Sequence, residues 1–125
     1  MKNSIDISKL KRNSKILMET EDTVYEITVS APKSCSVTVN GGIRFLRPTK
    51  AKINGSIKKG SSGKKTKLKD NHIEKGKSVQ FSYKDKDSSN SVITSPVKSA
   101  TVYAPDNSWH YDAIEKDKDE NTDKA

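Results

Sequence analysis

Apolar residues in this chain recur at every second position, and that period restricts what it can fold into more than any other feature. Tyr25, Ile27 and Val29 alternate with Glu26, Thr28 and Ser30; Cys35, Val37 and Val39 alternate with Ser36, Thr38 and Asn40; Val79, Phe81 and Tyr83 alternate with Gln80, Ser82 and Lys84. A strand projects successive side chains to opposite faces, so each run reads as an antiparallel strand with one face on a core and one in water. Turn-forming residues punctuate the runs at 31–34, 40–42, 59–63 and 85–90, with tight hairpins expected at the first two. Residues 15–20 and 92–103 supply further strands, the latter bent at Ser95-Pro96 because proline cannot donate to an interior ladder. No strand-helix-strand alternation is present, and only residues 4–10 read as a helical turn. The expectation is an all-β fold: a small antiparallel barrel or sandwich of about six short strands.

Composition sets the size of that fold. Hydrophobic residues make up 30 % of the 125, with seven aromatics, so the core is thin and the sheet surfaces are largely wet. One domain fits, with an N-terminal arm at 1–13, a β-barrel at 14–104 and an acidic, flexible tail at 105–125. There is no apolar run of about 18 residues and no signal-peptide pattern, which points to a soluble, cytoplasmic protein without a membrane partner. The single cysteine, Cys35, falls in phase with Val37 and Val39 and reads as a buried apolar residue in a reducing compartment.

Charge is strongly polarised. Residues 43–69 hold ten basic side chains, Arg44, Arg47, Lys50, Lys52, Lys58, Lys59, Lys64, Lys65, Lys67 and Lys69, and no acid. Residues 1–104 carry a formal charge of +12, whereas 105–125 carry −4. Alternation through 50–58 puts Ala51, Ile53, Gly55 and Ile57 on one face and Lys50, Lys52, Asn54, Ser56 and Lys58 on the other. With 64–69 returning after a Gly/Ser loop, a hairpin would present a continuous positive stripe, which attracts phosphates by releasing counterions. Lysine on an edge strand also serves solubility and blocks edge-to-edge pairing.

Other chemistry finds little support. The Gly60–Lys65 stretch has two residues between its glycines where a nucleotide-hydrolase loop needs four, and no helix pattern follows. His72 and His110 are far apart, with no second ligand near either, so no metal or cofactor is expected. The acids near the first hairpin, Glu19, Glu21, Asp22 and Glu26, suit a charged turn as well as a catalytic pair. These readings favour a binding protein over an enzyme. Tyr103, Trp109 and Tyr111 cluster near the end of the domain and suit either a stacking platform or a lid over one barrel end.

The runs 24–29, Val37-Thr-Val-Asn-Gly-Gly-Ile-Arg-Phe45, Asn54-Gly-Ser56, Ile73-Glu-Lys-Gly76 and Thr94-Ser-Pro-Val97 resemble a family of small uncharacterised proteins of bacteria and their phages. The resemblance covers roughly residues 15–102. It implies a compact β-barrel in which the Gly-Gly-x-Arg-Phe and Thr-Ser-Pro-Val signatures recur, and it draws attention to Arg44, Thr94 and Ser95. An arginine can fork to a phosphate and the two hydroxyls can add hydrogen bonds; equally, Arg44 can pair with an acid such as Glu26 and the Thr-Ser-Pro bend can be a barrel corner. Three partners follow from these readings. The first is nucleic acid held by Arg47, Lys50, Lys52, Lys58, Lys59, Lys64 and Lys65. The second is a small phosphorylated, nucleotide-like ligand held by Arg44, Thr94 and Ser95. The third is a second copy of the chain that completes the thin core as a homo-oligomer.

Overall fold

The computed structural model describes residues 3–43, 45–59 and 65–116, with side chains for all of these except 59, 65–68 and 85. It is all-β, and no α-helix occurs among the described residues. Eleven strands occur among the described residues, where about six were expected: β1 (Ser4–Asp6), β2 (Lys15–Thr20), β3 (Val24–Ala31), β4 (Ser36–Gly41), β5 (Phe45–Lys59), β6 (Lys65–Asp70), β7 (His72–Glu74), β8 (Ser78–Asp85), β9 (Ser88–Ile93), β10 (Val97–Tyr103) and β11 (His110–Ile114). The surplus has local causes. The run 92–103 breaks at Pro96 into β9 and β10, and β1 and β7 are three residues each, too short to display a period. The anticipated 85–90 loop shrinks to a two-residue turn, since Asp85 pairs with Ser88 and Lys86 takes the left-handed conformation at φ 58°.

One antiparallel sheet runs in the order β11-β10-β2-β3-β4-β5-β8-β9, with β6 paired to the free part of β5. Its ends, β11 and β9, do not pair, so the barrel is not closed. A separate two-stranded sheet joins β1 to β7, with Ile5 opposite Ile73. That pair touches β11 through β1 and touches β5 and β8 through β7, so it spans the interior between distant parts of the main sheet. Ile5, Ile7 and Ile73 are fully buried there, in one cluster with Ile16, Met18, Ile27, Val29, Phe45, Phe81 and Val102. The alternation seen in sequence is thus realised as one continuous core.

Segments from both flanks of the expected barrel pack on this core. The expected N-terminal arm supplies β1 and a single 3-10 turn at Ile7–Lys9. Residues 105–125, read as a flexible tail, contain β11, whose Ala113 and Ile114 are buried against β10, and Lys116 reaches Glu19 at 3.2 Å. The sequence masked β11 because His110, Tyr111 and Asp112 face outward at a sheet edge, leaving two consecutive apolar residues in place of an alternating run.

Strand β5 organises the rest. It pairs with β4 through Ser36↔Lys52 and Gly41↔Phe45, with β8 through Lys52↔Ser82 and Ile57↔Ser78, and with β6 beyond Gly55. One extra residue sits in β5 between Ile53 and Gly55 relative to β8, a bulge that slips the alternation by one. Gly55 adopts φ +134°, and a Cβ there would collide with the Lys69 carbonyl oxygen. Gly55→Ala should therefore destabilise the fold by about 1–3 kcal/mol, the usual cost of forcing a side chain into such a backbone conformation, measured as a lower urea midpoint.

The arm is held partly by charge. Asp6 caps the 3-10 turn, accepting from the Ser8 amide at 3.0 Å and the Ser8 hydroxyl at 2.6 Å, with His72 Nε2 3.9 Å away. The Ser8 hydroxyl, above all, holds the Asp6 carboxyl below its ordinary value of 3.8. A lowered carboxylate pKa contributes stability that is complete above the ordinary value and lost as pH falls through the folded value. Asp6→Asn should accordingly destabilise the protein at pH 7, with the difference from wild type shrinking as pH falls below 3.8, as followed by thermal melts across that range.

Candidate nucleic-acid interface

Phe45, Ala51 and Ile53 turn toward the core, which forces Leu46, Lys50 and Lys52 outward along β5. Lys50 pairs across to Thr38, and Lys52 lies between Ser36 and Ser82. Lys84 arrives from β8, and the three lysines surround a shallow depression of about 600 Å³ together with Ser30, Ser36, Thr38 and Ser82. No carboxylate lies among the described residues that line it. The hydroxyls between the lysines are ordered by neighbours: Ser34 and Ser36 share a hydrogen bond at 2.9 Å, and Asn54 donates to Ser82 Oγ at 2.5 Å. The site is thus a cationic, hydroxyl-lined, open surface suited to an extended anion.

The expected residues do not all meet there. Lys58 is exposed, but the bulge at Gly55 takes it out of the row of Lys50 and Lys52. The same slip buries Ser56, expected among the solvent-facing residues, where its hydroxyl donates to Glu74 Oε1 at 2.5 Å. Arg47 is exposed near the β4–β5 hairpin. Lys59 and Lys65 pair in the anticipated β5–β6 hairpin, although their side chains lie outside the described set, as do residues Arg44 and Lys64 altogether. Lys84 lay outside the acid-free run, fifteen positions beyond its end at Lys69, and only the β5–β8 pairing brings it alongside Lys50 and Lys52.

Thr94 and Ser95 lie elsewhere, lining a larger cavity of about 660 Å³ with Asp22, Thr23, Tyr25 and Ser78. Their hydroxyls are engaged within the protein. Thr94 Oγ1 accepts from the Val79 amide at 3.0 Å and donates to the Ser95 carbonyl at 2.7 Å, while Ser95 Oγ accepts from the Asp22 amide at 3.1 Å. The Thr-Ser-Pro segment therefore ties β8 to the β2–β3 turn as a corner. Among the described residues lining this cavity the one charged group is Asp22.

Two further groups complete the survey. Cys35 is buried, and burial pushes its thiol pKa up, away from nucleophilic reactivity. Trp109 and Tyr111 stack with ring centroids 5.9 Å apart and remain exposed, but β11 stands five strands away from β5 in the sheet order. They form neither a platform beside the lysines nor a buried lid.

Compared with protein-family models, curated proteins and solved structures, the chain matches none. The geometry also separates structural from binding roles. Thr94→Val should cost about 1–3 kcal/mol, because it leaves the Val79 amide without its acceptor. Oligonucleotide affinity of the folded variant should be unchanged in an anisotropy titration.

Proposed function

We propose that the chain is a small, non-catalytic β domain that binds nucleic acid through phosphate contacts on the outer face of β4, β5 and β8, without metal or cofactor. One observation carries this reading: Lys50, Lys52 and Lys84 share a hydroxyl-lined depression with no carboxylate among its described residues. Such an arrangement neutralises phosphates and releases their counterions, which supplies affinity with little sequence choice. The exposed Arg47 extends the cationic surface toward the hairpin.

The test is a salt titration of binding to labelled duplex and single-stranded oligonucleotides. Affinity should fall steeply with salt, and each lysine changed to serine among Lys50, Lys52 and Lys84 should reduce the slope of log K against log salt by about 1. Lys98→Ser, on β10, should leave the slope unchanged. Binding that is insensitive to salt, or a triple variant with undiminished affinity, overturns the reading.

A second reading keeps a specific support. Gly42 packs against Thr23, which lines the larger cavity, and in sequence Arg44 follows two residues on in the same hairpin. A small phosphorylated ligand held there would show weak salt dependence, fixed stoichiometry by calorimetry and sensitivity to Arg44→Ala.

A further inference from the structure

The β4–β5 hairpin presents two aliphatic side chains to water with no protein cover. Ile43 is 86 % exposed and Leu46 is 81 % exposed, the two largest values among the exposed large hydrophobics of the described residues. Single exposed aliphatics are ordinary, but this hairpin carries two, beside exposed Arg47 and Pro48. Leu46 precedes the outward-facing Lys50 and Lys52 on the same strand, with a slip in the β4–β5 register between them.

The layout favours one kind of partner. From Leu46 to Lys52 the strand covers about 20 Å, and the two lysines stand about 7 Å apart, comparable to successive phosphates on one strand of nucleic acid. Aliphatic side chains, unlike the aromatic platforms that stack on single strands, act as wedges that unstack a duplex step and kink it.

We propose that this hairpin is a wedge for double-stranded nucleic acid: Ile43 and Leu46 press between base pairs while Lys50, Lys52 and Lys84 hold the phosphates alongside. The inference rests on the proposed phosphate-binding face and adds to it a mode of engagement and a preference for duplex. Because both side chains are exposed, replacing them leaves the core intact.

The experiment uses the full chain and a duplex oligonucleotide carrying 2-aminopurine, whose emission rises when its stack opens. Saturating wild-type protein should raise the emission. The double variant Ile43→Ser, Leu46→Ser should bind about tenfold more weakly, the scale set by burying an aliphatic side chain, with an unchanged salt slope and no rise in emission. A rise equal to wild type in that variant overturns the wedge while leaving the phosphate-binding face standing, provided the lysine variants still lose affinity. Absence of duplex binding overturns the wedge, and absence of single-strand binding as well overturns both. Loss of binding to anionic phospholipid vesicles in the Ser variant, with duplex binding unaffected, assigns the tip to a membrane surface and overturns the wedge.

Discussion

Four aromatic rings decide which way the central strands face. Phe45 lies 5.7 Å from Phe81 and 5.6 Å from Tyr83, centroid to centroid, both in edge-on contact, and Tyr25 approaches Phe45 and Phe81 at 6.4 and 6.1 Å. Large rings in mutual contact contribute more than their area alone, and these four join β3, β5 and β8 across the sheet. With Phe45 and Phe81 turned inward, a period of two leaves no choice for their neighbours: Leu46, Lys50, Lys52, Ser82 and Lys84 must face water. The lysine-bearing face of β5 and β8 is the reverse side of the aromatic core.

A curled sheet with unpaired ends would leave part of that core open, and the β1–β7 pair answers the problem. Its isoleucines Ile5 and Ile73, with Ile7 from the adjoining 3-10 turn, fill the space that a closed ladder would otherwise seal. The polar consequences are met locally. Asp6 caps the turn, and Glu74, at the end of β7, accepts from the buried Ser56 hydroxyl. No buried side-chain polar atom among the described residues lacks a partner. In a protein with so little apolar mass, that completeness matters because an unmet buried group costs as much as several methylene groups contribute.

Alternation made the main strands legible, since β3, β4 and β8 each run largely through a period of two in the residues themselves. What stayed hidden has a common physical cause: two-residue periodicity cannot report a slip in itself. The bulge at Gly55 reverses the phase within β5, so Ser56 is buried and Lys58 leaves the row, although nothing between Lys50 and Lys58 breaks the written pattern. Gly55 was the available signal, as a glycine inside a strand marks a bulge or a close backbone approach. Lys84 and the β1–β7 pair were invisible for the opposite reason, because each depends on pairing between segments remote in sequence. The hydroxyls of Thr94 and Ser95 illustrate the same limit: their residue types suit ligand contacts, but the corner they form consumes them.

Charge on the outer face then orders what the lysines can do. On the β2 and β3 side, Lys15, Glu19 and Glu26 intermix and Lys116 is spent on Glu19, so that region offers little net field. On the β5 and β8 side, the charged groups among the described residues lining the depression are all lysines, set among hydroxyls and the side chains of Val37, Ala51 and Tyr83. An anion approaching the sheet is therefore drawn to one half of it, and the mixed-charge half resists its spreading across β3 toward the exposed Trp109–Tyr111 stack. Low dielectric beneath the face, supplied by the aromatic core, strengthens this focusing relative to the same charges on a flexible chain. The cationic row therefore lies along β5, on the face opposite the one that Phe45 occupies.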